Sequence, residues 1–96
     1  MTLRIRPEAL DDIRAAMAWY DGREPELGAA FLAEADALFQ RIDASPQHYP
    51  QVHGPLCRAL MRRFPYTVYF AFEGDGVVIF AVLHQRRDRG VLDTRR

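Results

Sequence analysis

Two apolar, β-branched and aromatic runs, residues 66–72 and 77–84, flank Gly74-Asp75-Gly76. No other feature constrains the fold as much. A Gly-Asp-Gly step between two such runs is a strong hairpin signal. Both runs are apolar on either side of the chain, as in central strands covered on both faces or opening onto a groove. The second run ends in a polar cluster, His84-Gln85-Arg86-Arg87-Asp88, that serves no evident packing purpose.

The preceding residues supply the rest of a small α+β domain. Residues 2–6 alternate, with Leu3 and Ile5 opposite Arg4 and Arg6, which reads as a short half-buried strand. Pro7 suits a first helical position, and Glu8 suits the positive end of a helix. Leu10, Ile13, Met17 and Tyr20 recur at helical spacing, predicting a helix over about 8–20 that ends near Gly22. A second helix starts near Pro25-Glu26. Its wide stripe of Leu27, Phe31, Leu32, Ala35, Leu38, Phe39 and Ile42 stops before Ser45-Pro46. The short link between the helices implies an antiparallel helical hairpin.

Residues 45–55, with Pro46, Pro50, Gly54 and Pro55, read as a loop, and about 56–64 as a strand. On that strand Arg58, Leu60, Arg62 and Phe64 share one face. The expected order is β-α-α-β-β-β, with the helical hairpin on one face of a four-stranded, mainly antiparallel sheet. Residues 1–96 are one domain, and 89–96 are either a flexible tail or a last contact with a target.

Composition narrows the function. At 49% apolar the chain can form one modest core. Its single cysteine, Cys57, excludes an internal disulfide and fits a reducing cytoplasm. No apolar stretch reaches the ~18 residues of a membrane span, and no signal-peptide pattern opens the chain, so a soluble cytoplasmic protein is expected. Net charge is zero but uneven: residues 1–50 carry nine acids and five arginines, residues 51–96 four acids and eight arginines. The bulk balance argues against a general nucleic-acid binder, while the C-terminal half can present a basic face. Every basic residue is arginine, so no lysine is available as a base or Schiff-base former.

His48, His53 and Cys57 lie at irregular spacing in a proline-rich stretch and lack a fourth ligand, so no metal site is expected. No phosphate loop, Ser-His-Asp set or paired carboxylates are visible, and no cofactor is expected. Arg58 and Arg62 are either a solvated outer face or a cationic groove opposite the helices. His84, which by strand parity goes with Val78, Phe80 and Val82, either caps its strand or contacts a partner. Arg87 and Asp88 can form a local ion pair on an exposed turn. Trp19 and Tyr20 read as helix-packing residues.

The element order resembles the RelE/ParE superfamily of bacterial toxins from type II toxin–antitoxin pairs. The residues that carry the resemblance are Pro7-Glu8-Ala9, Asp11-Asp12-Ile13, Tyr20, Ala30-Phe31, Pro50, Arg58, Phe64-Pro65-Tyr66 and the ending Val82-Leu83-His84-Gln85-Arg86-Arg87-Asp88. It covers residues 3 to 88. The ending His84-x-x-Arg87-Asp88 looks more like the ParE branch, whose members act on DNA gyrase, than the RelE branch, whose members cut mRNA on the ribosome. The resemblance therefore implies a gyrase inhibitor acting by protein contact, neutralised by a cognate antitoxin in a hetero-oligomer. Its target contacts would come from Arg58, Arg62, His84, Arg86, Arg87 and Asp88. The alternative is a RelE-like nuclease using Arg58, Arg62 and His84, with Tyr66 or Tyr69 as proton donor. The tyrosine that follows the last-strand histidine in some nuclease members is Gln85 here.

Overall fold

Pro7 decides where the first strand ends. β1 (Leu3–Ile5) stops before it, because proline lacks the N–H that would continue the ladder, and proline at the first turn starts α1 (Pro7–Arg23). The computed structural model describes residues 3–86 and 88–95. After α1 come α2 (Leu27–Ala44), a one-turn 3-10 helix (Pro46–His48), β2 (Gln51–His53), β3 (Leu56–Leu60), β4 (Tyr66–Glu73), β5 (Gly76–His84) and α3 (Asp88–Arg95). The sheet runs β1-β5-β4-β3-β2; β1 lies parallel to β5 and the other pairs are antiparallel. No helix among the described residues is long and apolar enough to cross a membrane.

The expected order holds, with one strand more than the four the sequence implies. Residues 51–53, read as loop, pair with β3 through a turn at Gly54, whose φ is +56°. Three residues between prolines are too few to display an alternating pattern. β3 in turn is shorter than expected and ends at Leu60 rather than Phe64. There the Met61 N–H donates to the Tyr66 carbonyl, and the Arg62 and Arg63 N–H groups donate to the Glu34 carboxylate on α2 (2.5 and 3.1 Å). The turn swings Phe64 inward, where it is 4% exposed.

The helical hairpin covers one face of the sheet. Ile13 and Ala16 of α1 and Phe31, Ala35, Leu38, Phe39 and Ile42 of α2 pack on Cys57, Ala59, Val68, Phe70, Val77, Ile79 and Val82. Phe31, Tyr20, Phe64 and Tyr66 form an edge-to-face and stacked aromatic group, with centroids between 4.8 and 6.2 Å apart. Each large side chain buried this way contributes roughly 1.5–3 kcal/mol. The hairpin turns through Glu26 at φ +69°, and the Asp21 carboxylate accepts the Gly28 N–H at 2.7 Å near the start of α2. A Cβ on Gly28 would sit 2.5 Å from the Met17 carbonyl oxygen, so the close approach of the helices requires glycine there.

The opposite face carries a second, smaller cluster of Leu56, Tyr69, Ala81, Leu83 and Leu92. Leu92 belongs to α3 and is 1% exposed, so residues 88–95, open to a flexible-tail reading, form a packed helix.

Two outcomes follow from this packing. Gly28→Ala should destabilise the fold by about 2 kcal/mol, a drop of roughly 10 °C in Tm in a thermal melt. The Cys57 thiol is buried and desolvation raises its pKa, which disfavours the reactive thiolate. Cys57 should therefore resist a disulfide reagent in native buffer and react at once in denaturant.

Candidate functional site

A bulge in β5 sets which way its polar end faces. Tyr69 pairs with Ala81 and Phe70 with Ile79, so Phe80 is an extra residue with no partner on β4. An uninterrupted strand would put His84 on the face of Val78 and Phe80, as its parity suggests. The bulge reverses this: beyond it, Ala81 and Leu83 join the α3 side, and Val82 and His84 the helical-hairpin side. His84 pairs across the sheet with Tyr66, and their rings meet edge to face at 5.3 Å. Its Nδ1 accepts the Arg86 N–H at 3.2 Å, which closes the turn and leaves Nε2 as the ring's remaining polar atom.

The other expected contacts lie elsewhere. Arg58 pairs across the sheet with Tyr69 and is exposed on the α3 face. Arg62 is exposed but follows the end of β3, so it does not share a strand face with Arg58. Arg58 and His84 thus project to opposite sides of the sheet. Arg86 is exposed in the turn after β5. Arg87 lies outside the described residues, and so does the side chain of Asp88. His48, His53 and Cys57 do not converge, and no group of three metal-ligating side chains forms among the described residues. His53 instead meets Asp93 of α3, Nε2 to Oδ1 at 3.1 Å.

The structure adds two residues the sequence reading left without a role, Asp12 and Arg95. β1 pairs with β5 only as far as Ile79, leaving the farther edge of β5 without a strand. Asp12 of α1 reaches this edge and accepts the Val82 N–H at 2.9 Å. The same carboxylate accepts two hydrogen bonds from the Arg95 guanidinium, at 2.6 and 2.7 Å. Both side chains are less than one-fifth exposed. The Arg95 pKa is raised chiefly by this hydrogen bond, so its charge is fixed wherever the protein is folded. Asp12 adjoins the apolar stripe of α1 next to Ile13, and adjacency to the stripe is its only signal in the sequence.

Between α1, the end of β5 and α3 lies a cleft of about 610 Å³. Asp12 and Arg95 line it, with Trp19, Tyr66, His84 and Val91. Trp19 departs from the helix-packing expectation: it is 53% exposed, with the Arg23 guanidinium stacked 4.2 Å from its ring centroid. Tyr20 behaves as expected and packs in the aromatic group, its phenol pKa raised by desolvation. Aromatic walls and arginines give this end of the molecule the chemistry of a binding surface.

Residues 3–89 match the family model of the ParE toxin of the type II toxin–antitoxin system, parDE. A solved structure, the chromosomal ParDE toxin–antitoxin system from P. aeruginosa, has the same fold. Its TM-score is 0.79 at 16% identity, over 88% of this chain and 95% of that one. No curated protein matches.

The Asp12–Arg95 pair is open to a double-mutant cycle. Asp12→Ala should lower stability by about 3 kcal/mol, since it strands both the Val82 N–H and a part-buried guanidinium. Arg95→Ala should cost less, and urea unfolding of the four variants should give a coupling of about 1.5–3 kcal/mol. A coupling near zero would mean that α3 is held by Leu92 alone.

Proposed function

We propose that this chain, which belongs to the ParE toxin family of type II toxin–antitoxin systems, arrests growth by binding DNA gyrase and is neutralised by its antitoxin. The observation that carries the reading is the placement of Arg58 and His84 on opposite faces of the sheet. Cleavage through a 2′-hydroxyl needs a base, an acid and a cation within hydrogen-bond reach of one phosphate. Side chains on opposite faces of a sheet cannot meet at one phosphate. A contact surface has no such requirement: its residues need only exposure and charge.

In this reading the end of β5 is the contact. His84 and Arg86 are held by the turn, Arg87 and Asp88 follow in sequence, and Arg58 and Arg62 add positive charge from β3 and its following turn. Arginine suits the role because its planar fork binds carboxylates in a fixed geometry and loses little hydration on burial.

Induced expression in a bacterium tests this, with DNA-damage signalling and protein synthesis scored in parallel. Damage signalling with filamentation is expected while translation continues. His84→Ala should keep most of the toxicity, and Arg86→Glu should reduce it at least tenfold. An immediate stop in translation with mRNA cut inside codons, abolished by His84→Ala, would overturn the reading.

A further inference from the structure

We propose that the cleft between α1, the end of β5 and α3 receives an acidic segment of the antitoxin. That segment binds through its side chains, with a bulky apolar anchor against Trp19. The inference rests on the reading above that an antitoxin neutralises this chain.

Three observations carry it. The first is the form of Trp19. An indole left 53% exposed yet fixed is a ready contact: Arg23 stacks on one side, and Tyr20 meets its ring edge to face at 5.0 Å. Ala15, Ala16, Val82, Leu83 and Val91 continue an apolar floor beside it. Tryptophan in such a setting dominates binding energy when a partner covers it.

The second is charge. The carboxylate in the cleft, Asp12, is saturated by Val82 and Arg95. Arg23 beside Trp19 and Arg86 beside His84 have no carboxylate partner among the described residues. The rim therefore carries uncompensated positive charge, which selects an acidic occupant.

The third is what the edge of β5 can no longer do. An extended peptide adds to a sheet by pairing with free N–H and C=O groups. At Val82 the outward N–H is already bound by Asp12, and Arg95 locks that carboxylate in place. Strand addition is blocked here, so the occupant engages through side chains, as an amphipathic helix does. Arg95 lies beyond residues 3–89, the stretch matched by the family model, so this lock belongs to the end of this chain.

Trp19 is the only tryptophan, so its fluorescence reports the cleft directly. The experiment titrates the full-length toxin with its purified antitoxin, recording emission and calorimetric Kd. The variants are Trp19→Ala, Arg23→Glu and Phe72→Ala. Phe72 is 55% exposed at the far end of β4 and serves as the control. Circular dichroism confirms that each variant is folded. The expected result is a blue shift of Trp19 emission on binding. Trp19→Ala should weaken Kd at least tenfold, Arg23→Glu should weaken it in a salt-dependent way, and Phe72→Ala should change it less than twofold. Tight binding with unchanged emission, and a Trp19→Ala Kd within twofold of wild type, would overturn the docking site and leave the toxin–antitoxin reading intact. No binding by the wild-type protein would overturn that reading, and the docking site with it.

Discussion

The edge of β5 beyond Ile79 depends on one carboxylate. Pro7 ends β1 after three residues, so the longest strand of the sheet outruns its parallel neighbour. An unpaired N–H on an apolar strand is unfavourable when buried and an aggregation hazard when exposed. Asp12 resolves both by accepting the Val82 N–H from α1. Its charge then needs a partner in a part-buried place, and Arg95 supplies it. One side chain thereby joins the helical hairpin, the sheet edge and the C-terminal helix. The cleft exists because these three elements are held at that separation.

The bulge at Phe80 is the second constraint. It places two consecutive residues, Phe80 and Ala81, on the α3 side of the sheet. Leu83 can then pack with Leu92, while Val82 stays in the main core. Without the bulge, Leu83 would turn to the hairpin and His84 to the α3 side, beside Arg58. The local break in the ladder therefore separates the two groups that a nuclease would need together. It also brings His84 to Tyr66 and to the aromatic side of the cleft.

Much of the architecture is legible in the residues. Apolar spacing places both helices, although each boundary moves: α1 extends to Arg23, and α2 begins at Leu27 after Glu26 at positive φ. The Gly74-Asp75-Gly76 hairpin is equally plain. What resists reading is short or distant. β2 is three residues long, and Phe64 leaves its strand face because Glu34 captures the backbone before it. Of the candidate contacts, Arg58 and Arg86 are exposed as their sequence context suggests, whereas the face of His84 comes out reversed.

By itself the sequence determined the element types, their order, the helical hairpin and the uneven charge. These depend on period, proline and glycine, which are properties of neighbouring residues. The tertiary structure alone decided which side of the sheet His84 faces, that Trp19 stays exposed, and that Asp12 is the junction. Asp12 meets Val82 and Arg95 across 70 and 83 positions of chain. No local pattern encodes such a pairing. It forms because a charge near a strand edge must find its counter-charge in the folded molecule.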